Sequence, residues 1–160
     1  MGRARDIANL IGGATPDIIL KTSDGAILNL QTSDTTVTQD SVLGAINFQA
    51  PDEADGTDAI LVASKIEAIA EGTFNASSNA TSLVFSTANS EAAGSAGVMT
   101  FTSGGTLKIK DANTSDGSSP TITLQTGDTD IAVDDVLGSI EFQAPDEGTG
   151  TDAILVAAGI

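Results

Sequence analysis

The sequence predicts an all-β protein built from repeated antiparallel β units, and three observations support this prediction. The stretch from Leu28 to Ile66 recurs without a gap as Ile122 to Ile160, with 25 of 39 positions identical at an offset of 94 residues. From Pro16 onward apolar and polar residues mostly alternate, which is the period of a β-strand. Short apolar segments are separated by Gly, Ser, Asn and Asp, the residues that turns prefer.

The repeat also indicates how the chain is organised. Phe48–Glu53 and Gly56–Ala63 return unchanged as Phe142–Glu147 and Gly150–Ala157. Tandem copies of one unit are typical of fibres, stalks and solenoids. Because a second copy with this period would extend well past Ile160, we expect the chain to be the first part of a longer array. We therefore divide it into an N-terminal segment, residues 1–20, a first β repeat, residues 21–106, and the start of a second repeat, residues 107–160.

The charge and composition exclude several classes of function. With 22 acidic and 6 basic residues, the formal net charge is -16, and a surface of this sign should repel nucleic acid. The chain has neither Cys nor His, which excludes disulfides and metal sites made of thiolates or imidazoles. No apolar stretch approaches the ~20 residues that cross a membrane, and we expect neither membrane insertion nor a secretion signal at the N-terminus.

The apolar residues are small. They make up 40% of the chain, but only five are Phe and none is Trp or Tyr. Two packed layers of Ala, Val, Ile and Leu bury a modest area, at roughly 25 cal/mol per Å². We therefore expect much of the burial to come from association with identical chains.

The N-terminus predicts one short amphipathic α-helix, Arg3–Ile11, which Gly12 and Gly13 would end. A helix of about nine residues is marginal alone and needs a partner surface. The only two arginines of the acidic chain lie here. We interpret the segment as a docking site for another protein, with a frayed terminus as the alternative. Its candidate docking residues are Arg3, Arg5, Ile7, Leu10 and Ile11.

The clearest predicted strand is Val42–Ala50. Before it, the tetrad Thr22–Gly25 predicts a turn between strands at Asp17–Leu20 and Ala26–Gln31. The even positions of Val42–Ala50 are identical in the second copy, whereas Ala45 and Asn47 are replaced by Ser139 and Glu141. We therefore predict that the even face is packed and the odd face is wet. The predicted core residues are Val42, Ile46, Phe48, Val136, Ile140 and Phe142.

Ala59–Ala70 is predicted as a strand, although helix is a real competitor. Ser64–Glu71 contains good helix formers and precedes Gly72. Strand is favoured because apolar residues alternate and the preceding strand needs an antiparallel partner. The pattern then predicts strands at Leu83–Thr87 and Val98–Thr102, separated by polar loops, and Leu107–Lys110 as the opening of the next unit.

Three sequence patterns suggest a metal site, a modification site or an active site but have simpler explanations. The loop Asp52–Asp58 carries four carboxylates, but Pro51 takes the place of the first acid of an EF-hand, so a solvated turn is favoured over a calcium site. Asn75, Asn79 and Asn113 match the glycosylation acceptor pattern, which short polar loops produce by chance. Carboxylate pairs alone do not indicate a glycosidase, because the chain lacks an aromatic platform and any nucleophile–base element. We expect no enzyme and no cofactor in these residues.

Several of these segments together resemble the shaft repeat of tail fibres from tailed bacteriophages, especially those of marine cyanobacteria. The resemblance covers most of the chain and is carried by Val42–Phe48, Gly56–Ala63, Lys65–Gly72, Leu83–Thr87 and Val98–Phe101. The opening Arg3–Leu10 also resembles the start of such fibre proteins. One departure is Gly97-Val98, where similar repeats often carry a charged pair.

The resemblance implies a structural protein of the virion tail. It implies a homotrimeric β-structured shaft that an N-terminal segment attaches to a tail, adaptor or portal-associated protein. A distal tip, outside these residues, would bind the host surface receptor for adsorption. Winding three identical chains together would also cover open sheet edges. The alternatives are another virion appendage, such as a whisker, collar or capsid decoration fibre, and a bacterial repeat adhesin.

Overall fold

The computed structural model describes residues 20–21, 23–49, 60–90, 92–94, 96–143 and 156–159, and these residues form β-strands without any helix. The all-β prediction is confirmed. The helix predicted at Arg3–Ile11 lies outside the described residues. The seven strands are β1 (Val42–Gln49), β2 (Val62–Ala70), β3 (Thr81–Thr87), β4 (Gly97–Phe101), β5 (Leu107–Asp111), β6 (Glu141–Gln143) and β7 (Val156–Gly159).

The first five strands form one antiparallel sheet in which neighbours in space are also neighbours in sequence, β1-β2-β3-β4-β5. Hydrogen bonds within the turns stabilise the connections between these strands. Between β2 and β3, the Asn75 carboxamide oxygen accepts a hydrogen bond from the Ser77 amide at 2.9 Å, as Asn does in turns. Between β4 and β5, Gly105 takes a φ of +79° and its N–H donates to the Thr102 carbonyl, a conformation that glycine adopts without strain.

The segment that could have been a helix is a strand. Val62–Ala70 pairs along both edges, with β1 on one side and β3 on the other. Ile66 lies directly between Ile46 and Phe85 in this arrangement. Pairing on two edges satisfies the backbone of β2 and places its alternating apolar residues on one face, which outweighs the helix propensity of Ser64–Glu71.

The chain divides into two compact units, Met1–Ser118 and Ser119–Ile160. This boundary differs from the one that the sequence suggests between residues 106 and 107. Leu107–Lys110 does not open the second unit, because β5 pairs with β4 over its whole length and completes the first sheet.

The second unit repeats the first in its strand register. Phe48 pairs with Ser64 and Gln49 with Val62, with an irregularity between the two pairs. Phe142 pairs with Ala158 and Gln143 with Val156, with the same irregularity. Each number in the second set is the corresponding number in the first plus 94. The sequence repeat is therefore a structural repeat, because β6 and β7 reproduce the end of β1 and the start of β2.

The six predicted core residues are not buried within one chain. Their exposed fractions are 44% for Val42, 42% for Ile46, 52% for Phe48, 78% for Val136, 44% for Ile140 and 52% for Phe142. The only buried hydrophobic residues in the described part of the chain are Ala70 and Val84. The physical reason is that a core needs two packed layers, and within the described residues of the first unit the single sheet has no second layer of strands or helices.

A bulge also interrupts the predicted packed face. Val42 pairs with Ile69, whereas Gly44 pairs with Ala68. Two steps along β1 therefore match one step along β2, which breaks the strict alternation of sides. The predicted even face is continuous only from Gly44 to Phe48.

Candidate interaction surface

One face of the five-stranded sheet is apolar across its whole width. Residues that pair directly in an antiparallel sheet lie on the same face, so the register defines cross-strand rows. The two rows that form this apolar face are Gly44, Ala68, Leu83, Phe101 and Leu107, and Ile46, Ile66, Phe85, Met99 and Ile109.

The large side chains of the apolar face are accessible to solvent in the single chain. Phe101 is 53% exposed and Leu107 is 57% exposed. Leu83, Met99 and Ile109 are also exposed, and Ile66 and Phe85 are half-buried. Phe48, at 52%, continues the face beyond the second row. Such a contiguous apolar surface marks an interaction site in soluble proteins.

The other face of the sheet is polar and carries most of the buried residues. Its two rows are Ala45, Glu67, Val84, Thr100 and Lys108, and Asn47, Lys65, Ser86, Val98 and Lys110. Glu67, Val84 and Ser86 are between 5% and 8% exposed. In the first unit the polar side of the sheet is therefore better shielded from water than its apolar side, which reverses the usual order.

A cleft on the polar face contains an ion pair. Lys65 Nζ lies 2.7 Å from a carboxylate oxygen of Glu67, and the two side chains are 28% and 10% exposed. The cleft has a volume of about 230 Å³, and its other lining residues are Ala45, Asn47, Val62, Ala92 and Ala93. A pair of opposite charges in contact neutralises itself, and the remaining lining residues offer a ligand few polar groups, so the cleft is not a convincing active site.

Two segments outside the strands, one in each unit, are further candidate interaction elements. We name residues 26–33 the first limb and residues 120–127, which are 94 positions further on, the second limb. Neither limb makes a backbone hydrogen bond to another described residue. Their apolar side chains are exposed, with Ile27 at 77%, Leu28 at 61%, Ile122 at 65% and Leu124 at 50%. The limbs thus combine free backbone groups with exposed apolar side chains, as an unpaired edge strand does.

Each limb contacts a glycine of its own repeat, Gly44 within β1 and Gly138 shortly before β6. A Cβ atom added to Gly44 would lie 2.7 Å from the Leu30 Cβ, and one added to Gly138 would lie 2.7 Å from the Leu124 Cβ. Glycine at these two positions allows the limb to approach the backbone closely. Since Gly44 belongs to the apolar face, Leu30 covers one end of that face.

The segment between limb and strand makes corresponding local hydrogen bonds in both copies. The Asp34 amide donates to Thr32 Oγ1 and the Asp128 amide donates to Thr126 Oγ1, each at 3.1 Å. Asp34 and Asp128 then each accept a hydrogen bond from the amide two residues further on. These local bonds fix the path of the chain from each limb towards its strand.

Several sequence-predicted sites lie outside the described residues. They include the whole docking segment (Arg3, Arg5, Ile7, Leu10 and Ile11) and the acidic loop Asp52–Asp58. Within the described ranges no three acidic side chains are placed to hold a metal ion. No helix in that part of the chain has the length and apolarity needed to cross a membrane.

Sequence reasoning missed much of the apolar face. In the first sheet it selected Val42, Ile46 and Phe48 on β1 but no residue on β2 to β5. The missing members form i, i+2 pairs, namely Leu83 and Phe85, Met99 and Phe101, and Leu107 and Ile109. This spacing places each pair on one face of its strand, but only the register shows that all three pairs lie on the same face as Ile46.

The chain matches no protein-family model, no curated protein and no solved structure.

Proposed function

We propose that this chain is a structural component of a bacteriophage tail fibre, comprising the N-terminal attachment segment and the beginning of a homotrimeric shaft. The observation that supports this most directly is the structural repeat. Strand register, limb contacts and local hydrogen bonds all recur after 94 residues. A rod is extended by adding such units end to end.

The exposed surfaces support association of identical chains. A repeat that leaves its limbs unpaired and its apolar face open does not complete its own core. Three identical chains around one axis could complete it while keeping the polar faces directed outward. The surplus of negative charge would keep neighbouring rods apart in solution.

The resemblance to tail-fibre shaft repeats supports a location on the virion. In this proposal residues 1–20 dock on a tail, adaptor or portal-associated protein, and a distal region binds the host receptor. We propose that the role of the chain is structural and not enzymatic.

Deleting residues 1–13 tests the proposed attachment. The deletion should abolish incorporation of the fibre into virions while the purified chain still forms its trimer, measured by immunoblotting of purified particles and by sedimentation. Two double variants that each remove two positive charges give a matched comparison, Arg3→Ser/Arg5→Ser and Lys108→Ser/Lys110→Ser. Only the first should reduce incorporation into virions. Normal incorporation of the deletion variant would refute an N-terminal anchor.

Electron microscopy of labelled particles distinguishes the alternative locations. A tag at residue 1 should appear at the tail in the proposed arrangement. A tag at the collar or the capsid would indicate another appendage, and a tag on the bacterial surface would indicate a repeat adhesin.

A further inference from the structure

We infer that the apolar face of the five-stranded sheet is the surface through which copies of this chain pack on each other, so that the core of the first repeat forms between chains. The inference rests on the proposed homotrimeric shaft and assigns its interface. Three copies would direct this face towards a common axis and the polar face away from it.

The distribution of burial supports this assignment. In the described part of the chain the buried polar or charged residues are Glu67, Ser82 and Ser86, whereas Phe48, Phe101 and Leu107 are more than half exposed. Folding gains most of its free energy from removing apolar surface from water. A sheet with this distribution lacks that gain on its apolar side until another surface covers it.

The size of the face is suited to an interface. Seven of its side chains, Ile46, Phe48, Leu83, Met99, Phe101, Leu107 and Ile109, are between 36% and 57% exposed. At about 200 Å² for a whole side chain, they present on the order of 600 Å² of apolar surface. The largest apolar patch of a typical monomer is about 300–600 Å², and a stable interface buries about 800 Å² per partner. The apolar face therefore provides most of the area that one interface needs.

The charge distribution supports another copy of the chain as the partner. With a net charge of -16, identical chains repel each other wherever acidic surfaces meet. The two rows of the apolar face contain no charged residue, and beyond them Asp111 is the one charged residue on that side of the five strands. The two rows of the polar face contain Glu67 and three of the four lysines. The apolar face is thus a surface on which copies can approach without bringing like charges together.

Within a single chain, the first limb covers only one end of the apolar face. Leu30 lies against Gly44, at one end of the first row. Phe101 and Leu107, at the other end of the same row, remain more than half exposed. The uncovered end is consequently where the effect of association should be largest.

Single cysteines provide a direct test, because the native chain contains no Cys. Leu107→Cys and Lys108→Cys are adjacent on β5, both exposed in the single chain, and on opposite faces. In the assembled protein the thiol of Leu107→Cys should react with a maleimide at least about tenfold more slowly than the thiol of Lys108→Cys, and the two rates should become equal on dilution or in denaturant. Equal rates in the assembled protein would overturn the inference.

A matched pair of charge substitutions provides the second test. Phe101→Asp and Thr100→Asp are adjacent on β4 and on opposite faces. Sedimentation should show a single chain for Phe101→Asp and three chains for Thr100→Asp. If Phe101→Asp fails to fold by circular dichroism, the labelling rates alone decide.

The outcomes separate this inference from the proposed function. A trimer that persists in Phe101→Asp, with equal labelling rates, would refute this interface but not a trimeric shaft. Slow labelling of Leu107→Cys in a monomeric protein would show that another segment of the same chain covers the face, and would also refute the inference. A protected face in a trimer that is not located on virions would refute the function and leave the interface standing.

Discussion

Asp40 and Asp134 have the same uncommon backbone conformation, with φ values of 67° and 75°, at positions 94 residues apart. Asp tolerates this left-handed region better than most residues because its short polar side chain can bond locally. The Asp40 amide donates to the Ala70 carbonyl at 2.9 Å, which ties the entry to β1 to the end of β2. One residue thus sets the point at which the chain turns from the limb segment into the sheet.

At the same scale, Gly44 allows the limb to lie on the sheet. Replacing Gly by Ala inside a strand usually stabilises it by roughly 0.5–1 kcal/mol. At Gly44 the added methyl group would lie 2.7 Å from the Leu30 Cβ, so we expect Gly44→Ala to lower the free energy of unfolding by about 1–3 kcal/mol. The measurement is urea denaturation at a fixed protein concentration.

Gly72→Ala is the control for this substitution. No atom lies within 4 Å of a Cβ added at Gly72, so this variant should be close to the parent in stability. Equal stability of Gly44→Ala and Gly72→Ala would contradict the close approach of Leu30 to β1.

At the scale of elements, Glu71 links two parts of the first sheet that are not adjacent. It follows β2, while Ser103 lies in the turn between β4 and β5, with β3 in between. One carboxylate oxygen of Glu71 accepts from the Ser103 amide at 3.1 Å, and the other accepts from the Ser103 hydroxyl. This pair of bonds holds the β4–β5 turn against the end of β2.

Removing this link should loosen the turn without unfolding the sheet. Glu71→Ala removes both acceptors, and because Ser103 is exposed to water the expected loss of stability is only about 1 kcal/mol. Hydrogen exchange should be faster at the Ser103, Gly104 and Gly105 amides and unchanged in the middle of β2 and β3. Glu141→Ala, at an exposed acid in the second unit, should leave exchange at Ser103 as it is. Unchanged exchange at Ser103 in Glu71→Ala would mean that the link does not hold the turn.

The repeated register shows that an element pair, rather than a single strand, is the unit that is copied. β6 and β7 keep the β1–β2 pairing and its irregularity although Asn47, Ser64 and Lys65 are replaced by Glu141, Ala158 and Gly159. The irregularity at Phe48 and Gln49 therefore does not depend on the residues that vary, and these two residues are themselves the same in both copies.

At the scale of the whole molecule, stability should depend on concentration. Within the described residues the sheet buries little apolar surface, so in the proposed assembly most of the hydrophobic stabilisation would come from contacts between chains. We expect the Tm of the chain to rise with protein concentration. We also expect Phe48→Ala to lower the Tm of the assembled protein. The same substitution should change the unfolding of an isolated chain little, because Phe48 is 52% exposed there. Calorimetry over a hundredfold range of concentration measures both. A Tm that stays constant over this range would indicate a chain that folds alone.

The sequence by itself determined the all-β class, the repeat of 94 residues and the positions of five strands, because alternation and turn residues are local signals. It also favoured strand over helix at Ala59–Ala70. Its predictions of a strand at Ala26–Gln31, which is an unpaired limb, and of a new unit opening at Leu107, which completes the first sheet, were wrong. It also did not show that Leu83, Met99 and Phe101 share a face with Ile46. Those facts depend on strand pairing and register, which bring together residues far apart in the chain. Only the tertiary structure decided that the apolar side of the sheet is the open one, because burial is a property of packed layers and not of any single strand.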